Sequence, residues 1–303
     1  MQRIPYLTYR LAKDKLMNRF MQFLTIASLL ILLAMGVGLY GKSSAILEEY
    51  SLWSLLSGVE WSPFNKEFGF ATFILSSVYI TLLAVVFAVP VSLLTALYLT
   101  DRSSLWVKRL VFPVLDILAG IPSVIYGLWG VLIIVPWVAN TLGPYFVDYT
   151  SGYTLLTGSI VLSVMIIPLL VSLFIEILSS ISQDLKDASA SLGATRWQTS
   201  SLIVMRKASP GIIAAVMLSV SKAFGETLAV LMVCGNMIGI PQSLFEGVYP
   251  LPALIANNYG EMLSLPMYES ALMFAALIMF VIILIFNAIS RVILQNVEKK
   301  LKL

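Results

Sequence analysis

The chain has 303 residues, of which 59% are hydrophobic and 12% charged; its net charge is +3 and its mean hydropathy +0.93. A soluble domain carries about 25% charged residues, so this balance excludes a water-soluble globule and indicates an integral membrane protein. The chain has no histidine and one cysteine, Cys234, which excludes histidine-based catalysis, proton relay and metal ligation, as well as an internal disulfide.

Residues 1–20 carry Arg3, Arg10, Lys13, Lys15 and Arg19 and read as a basic cytosolic segment. The apolar run 21–40 follows. The long charged region and the lack of a small-residue cleavage site make this run a retained first span rather than a signal peptide. Five more apolar runs lie at 72–99, 110–137, 155–178, 212–234 and 271–289. Each is long enough to cross ~30 Å of hydrocarbon as a helix, and none shows the alternation of barrel strands. The expected fold is an all-α membrane protein with six transmembrane helices. A core of five transmembrane helices fills 72–290, and a basic cytosolic tail follows at 291–303.

The basic residues orient the bundle. Sixteen of the 19 Lys and Arg fall on the N-terminal side and two on the other, with Lys222 inside a span. Positive residues favour the cytoplasm, so both termini are expected there. The loops at 41–71, 138–154 and 235–270 then face outward.

In the outer loop 41–71, Leu47, Tyr50, Trp53, Leu55 and Leu56 among Glu48, Glu49 and Glu60 read as a short amphipathic helix at the interface. Trp61 and Phe64 fit an aromatic belt. Such a helix serves either as a docking surface or as a membrane anchor. At its start, Gly36 to Ser43 matches the phosphate-loop pattern G-x-x-x-x-G-K-[ST]. That pattern needs a strand leading in and a helix following. Here a membrane helix leads in, so the match is read as accidental.

The third span holds Asp116 and the run Leu118-Ala-Gly-Ile-Pro-Ser-Val-Ile-Tyr-Gly127. Pro122 removes a helix hydrogen bond, which a membrane tolerates where the backbone faces protein or a water-filled cavity. Ser123 and the freed N–H groups would then suit an anion. The alternative is a kink that only improves packing.

The loop 179–211 is polar and carries a helix-turn-helix pattern. Ser182 is placed to cap a helix ending near Gly193, and Thr195 a second short helix through Ile203. Leu185, Leu192, Trp197 and Leu202 give it an apolar side that nothing else in the chain is seen to cover, and a partner protein is the natural cover. The fifth span contains Lys222 and Glu226, expected one turn apart on one helix face. A charge at the bilayer centre costs roughly 2.5–3.5 kcal/mol, so the pair is expected to face the bundle interior and to mark a pathway for an anion. The loop 235–270 has no basic residue but four prolines, and reads as ordered and re-entrant.

These motifs carry a resemblance. Asp187-Ala188-Ser189-x-x-x-Gly193, with nine residues to Ile203, resembles the EAA loop of ABC importer permeases, with Asp187 in place of the usual glutamate and Met205-Arg206 in place of Leu-Pro. Leu118–Gly127, Trp61-Ser-Pro63, and Gly225-Glu226-Thr227-Leu-Ala-Val230 with Gly235-Asn236 resemble the C-type permease subunits of Pst phosphate transporters. In that family arginine is usual where this chain has Lys222.

The resemblance implies the type I ABC importer (MetI-like) fold in a bacterial inner membrane. It implies an ATPase coupling loop at Asp187, Ala188, Gly193, Trp197 and Ile203, and a translocation pathway at Lys222, Glu226, Thr227, Ser123 and Asp116. The implied partners are a related A-type permease, two ATPase subunits and an extracytoplasmic phosphate-binding protein. ATP and Mg would sit on the ATPase subunits, with no cofactor or metal in this chain and no nucleic acid. A self-sufficient secondary transporter would need inverted repeats and ion-coupling carboxylates. An intramembrane enzyme would need a nucleophile pair. Neither is evident.

Overall fold

The computed structural model describes residues 4–260 and 265–301. Six of its helices are long and apolar enough to cross a membrane, by length and composition: Tyr9–Lys42, Ala71–Asp101, Ser123–Tyr145, Leu155–Ser179, Arg196–Phe224 and Pro266–Val297. Two places differ from the expected spans, and each difference has a local cause.

The first span belongs to one unbroken helix, α1 (Ile4–Lys42), so the basic segment and the apolar run share a rod. The phosphate-loop pattern therefore lies in helical backbone through Lys42, and Ser43 donates its hydroxyl to Leu39 O at 2.7 Å. No cradle of free N–H groups forms there. Two short helices follow, α2 (Ser44–Glu49) and α3 (Leu52–Ser57), then a two-residue hairpin of β1 (Trp61–Ser62) and β2 (Glu67–Phe68). Trp61 is not a belt residue. It sits half-buried with its ring edge-on to Phe68, Phe70, Phe73 and Tyr268, at centroid distances of 5.2–6.0 Å. Phe64 and Trp53 are each 78% exposed.

The second span, α4 (Ala71–Asp101), packs along α7 (Leu155–Ser179). On α4 the contact face is a ladder of small residues one turn apart, Ala84, Ala88, Ser92 and Ala96, all fully buried. Small side chains let two membrane helices approach closely. Serines stitch the seam: Ser163 Oγ donates to Ala84 O at 3.0 Å, and Ser159 Oγ to Ile80 O at 3.4 Å. At Gly158 a Cβ would stand 2.4 Å from Cys234 Sγ and 2.6 Å from Ile80 Cδ1. Gly158→Ala should therefore destabilise the subunit by about 1–3 kcal/mol, the usual cost of overpacking. Adding Cys234→Ala should return part of that loss. Thermal unfolding of the two variants in detergent checks both statements.

The third expected span, 110–137, is two helices. α5 (Leu105–Gly120) is 16 residues, about 24 Å, too short to cross the hydrocarbon. It lays Leu115 against Leu99 and Val171, at the ends of α4 and α7 nearest the loop 179–211. Pro122 has no N–H to return to Leu118 O, so the helix stops there and Tyr126 donates its hydroxyl to that carbonyl at 2.8 Å. The crossing helix is α6 (Ser123–Tyr145), with wide turns at Gly130–Ile134 and Val138–Leu142 on either side of Pro136.

α8 (Gln183–Ser191) leads into α9 (Arg196–Phe224), which starts in the loop and continues into the membrane. The expected second short helix is thus the first turns of the fifth span. Its wide turn, Thr199–Val204, precedes Pro210. The carbonyl that Pro210 leaves free, Arg206 O, accepts from Ser209 Oγ at 2.9 Å. The fifth span stops at Gly225, short of the expected 234, and α10 (Leu228–Val233) follows the break.

α11 (Leu251–Asn258) packs against α4 with its first four residues buried, and Leu251 N donates to Ser77 Oγ at 2.8 Å. α12 (Pro266–Leu301) carries the sixth span. α1 lies against α12, fixed near one end by Lys42 and Glu269 at 3.1 Å. The rest of the expected loop 235–270, at 261–264, lies outside the described residues.

Candidate functional site: a helix-turn-helix loop and a broken pair of membrane helices

The turn between α8 and α9 is built by its sequence. Gly193 sits at φ +81, where a side chain is strained, and its N–H donates to Ala190 O at 2.9 Å. Thr195 opens α9 with a reciprocal cap. Thr195 Oγ1 accepts from Gln198 N at 3.3 Å, and Gln198 Oε1 accepts from Thr195 N at 2.8 Å. Ser182 stands at the N-cap of α8 but makes no side-chain cap bond. The two arms are tied by Ser189 Oγ and Thr199 Oγ1 at 2.9 Å.

Asp187 and Ala188 are exposed on α8, with Asp187 Oδ1 accepting from Gln183 Nε2 at 2.9 Å. Ile203 is half-buried in the wide turn. The apolar side expected of this loop is open: Leu192 is 90% exposed, Leu202 63% and Trp197 55%. Exposed apolar groups of this size on a polar loop mark a contact surface. The sequence reading missed what anchors the loop, namely Asp101 and Arg102 at the end of α4. Asp101 Oδ1 lies 3.5 Å from Lys186 Nζ and its Oδ2 accepts from Ser200 Oγ, while the Arg102 guanidinium is 6.0 Å from the centre of the Trp197 ring. The available signal was a charged pair closing an apolar run.

The second part of the site is a helix break. Gly127 of α6 packs on α10 so closely that a Cβ would stand 3.1 Å from Ala229 Cα and 2.8 Å from Met232 Sδ. At Gly130 it would meet Val233. This register advances in the same direction on both helices, so their N-terminal ends stand side by side. The breaks at 121–122 and 225–227 therefore lie at one level. Ser123, Glu226 and Thr227 are gathered there, all half-buried.

Lys222 is in the last turn of α9, just before the break, about 18 Å along the helix from Pro210. Its side chain is exposed and has no ion pair or hydrogen bond among the described residues. The expected i, i+4 pair does not form. Gly225 ends α9 before Glu226, whose Oε1 instead accepts from Ala229 N at 3.4 Å, and Thr227 Oγ1 donates to Gly225 O at 3.3 Å. Nor does Lys222 face the interior of this subunit; it lies on an open face with Leu218, which is 53% exposed. Asp116 is exposed on α5, on the other side of the first break.

Chemically, the arrangement offers an ammonium group with no partner among the described residues at the end of an apolar span, next to two interrupted helices. Discontinuous helices and intramembrane charges are the marks of substrate sites in transport proteins. Among the described residues, no group of His, Cys, Asp or Glu is placed to hold a metal ion.

The chain is similar to known transport proteins. Residues 88–303 match the family model described as "Binding-protein-dependent transport system inner membrane component". The chain is 36% identical over 227 residues to the probable ABC transporter permease protein YqgH of Bacillus subtilis, covering 74% of this chain and 72% of that one. It is 32% identical to the phosphate transport system permease protein PstC of Pasteurella multocida, over 80% of this chain and 79% of that one. With PstC of Haemophilus influenzae it shares 30% identity over 91% and 90%. Among solved structures, a chain of a bacterial alginate ABC transporter superposes with a TM-score of 0.61 at 17% identity, covering 94% of this chain and 97% of that one. A chain of the inward-facing MetNI methionine ABC transporter gives 0.59 at 18%, over 78% and 99%.

Proposed function

The chain belongs to the family of inner membrane components of binding-protein-dependent transport systems, and on that premise we propose that it is a permease subunit of an ATP-driven importer of inorganic phosphate. It is a multi-pass inner-membrane protein with a MetI-type fold. The names of its PstC relatives support phosphate as the substrate. The observation that carries the reading is Lys222: a cation with no partner among the described residues, in the last turn of the fifth span and exposed on a face of the lone subunit. Such a group is costly in lipid. It is tolerable where a second permease, of A type, closes over it and leaves a polar path between the two subunits. This chain thus supplies half of the pathway.

The coupling loop supplies the drive. Leu192, Trp197 and Leu202 offer an apolar surface to an ATPase subunit, one under each permease. ATP and Mg bind there, and this chain hydrolyses nothing itself. A loaded extracytoplasmic phosphate-binding protein delivers the anion to the far end of the bundle. Both termini then lie in the cytoplasm, with the coupling loop. Nucleotide state selects between two packings of the bundle that open the path to opposite sides.

The test is reconstitution of the complete complex in proteoliposomes. Phosphate uptake should require ATP, the ATPase subunits and the binding protein, and should exceed sulfate uptake at least ten-fold. Equal uptake of sulfate would make the substrate another oxyanion. Uptake by this chain without any ATPase would make it a secondary transporter.

A further inference from the structure

The coupling loop is fastened to the second span as well as to the fifth. Asp101, the last residue of α4, holds Lys186 on one arm of the loop and Ser200 on the other. The ion pair is largely out of water, its side chains 15% and 19% exposed for Asp101 and Lys186. One residue on, Arg102 reaches over Trp197. The end of α4 thus grips the loop on both sides of the Gly193 turn. α4 is in turn sewn to α7 along the small-residue seam, by Ser163 to Ala84 O and Ser159 to Ile80 O.

We infer that Asp101 is a positioning residue for transport, the joint through which a displacement of the coupling loop moves α4 and α7 together as one body. This rests on the function proposed above. The physical reason is connectivity. Backbone continuity carries movement from the second arm into α9 alone, since the loop and that span are one helix. The first arm, α8, has backbone continuity back to α7 only through the turn at 180–182, whose Ser182 forms no cap bond. A single carboxylate bonded to both arms removes that slack. A pull on either arm then reaches the same point on α4. Breaking one side of a largely buried ion pair leaves the other charge uncompensated, so the joint has no neutral substitute in place.

The test uses the complete complex in proteoliposomes and reads phosphate moved per ATP hydrolysed. For D101N, assembly and ATP hydrolysis should persist while this ratio falls at least ten-fold. K186Q should change it in the same direction. The charge exchange D101K with K186D should recover a substantial part of the ratio that D101K alone loses. A residue that merely held the fold together would lower complex yield and both activities in proportion, leaving the ratio unchanged. A wild-type ratio in D101N, or an exchange variant no better than D101K, overturns the inference. If D101N does not assemble, K186Q and S200A each cut one arm free. Each should lower the ratio and the pair should lower it further; unchanged ratios overturn the inference. Failure of the wild-type complex to move phosphate with ATP would instead overturn the proposed function.

Discussion

Replacing Lys222 by methionine should abolish phosphate uptake while the complex still assembles. Methionine keeps the length and apolar stem of the side chain and removes only the charge. Lys222 has no intramolecular partner among the described residues, so its loss leaves no stranded carboxylate in this chain. Glu226 is already engaged with Ala229 N, which a Lys222 variant does not disturb. The fold should therefore be unaffected. The anion loses an interaction in a confined, poorly hydrated space, of the kind worth about 3 kcal/mol, which corresponds to a fall in uptake of roughly 100-fold. Lys222→Arg keeps the charge and adds a bidentate fork, and should retain most of the uptake. Uptake of radiolabelled phosphate by vesicles with matched complex content measures both. Normal uptake by the methionine variant would remove Lys222 from the pathway.

On the proposed function, charging the tip of the loop between α8 and α9 should separate this subunit from its ATPase. Leu192 is 90% exposed at the end of α8, and Trp197 is 55% exposed beyond the turn. A large apolar side chain that seats in a partner pocket typically contributes 2–4 kcal/mol when truncated. Leu192→Glu adds the burial of an unpaired charge to that loss. Association should weaken by at least 100-fold, read as loss of the ATPase on affinity purification through the permease. Trp53→Glu, an equal charge on a residue that is 78% exposed in the segment between α1 and α4, should leave the ATPase bound. Retention of the ATPase by Leu192→Glu would place the docking surface elsewhere. Trp197→Ala should act more weakly, because Arg102 already holds one side of that ring.

Much of this was legible from residue order alone. Six crossings follow from apolar run length, and the Gly193 turn with its Thr195 cap from local stereochemistry. Two boundaries were misread for the same reason. An apolar run reports which residues tolerate lipid or a packed interior, not where the helix axis breaks. The apolar run continues unbroken in composition from 117 to 137, yet Pro122 divides a helix lying on its neighbours from one that crosses. At 225 a glycine ends α9 inside an apolar stretch, which turns an apparent Lys222–Glu226 pair into a free cation and a helix cap. Spacing arguments assume an unbroken helix and fail where it ends. Asp101 was illegible for another reason. Its partners are 85 and 99 residues away, at Lys186 and Ser200, and only packing of α4 on the coupling loop brings them together.

On the proposed function, movement at Asp187–Ile203 should change which side of the membrane the face around Lys222 meets. A single cysteine at position 218, one turn from Lys222 in a Cys234→Ala background, reports that directly. In the reconstituted complex, a membrane-impermeant thiol reagent should label Leu218→Cys from one side without nucleotide and from the opposite side with trapped ATP. Labelling only by lipid-soluble reagents, unchanged by nucleotide, would mean that this face meets lipid and would contradict the account.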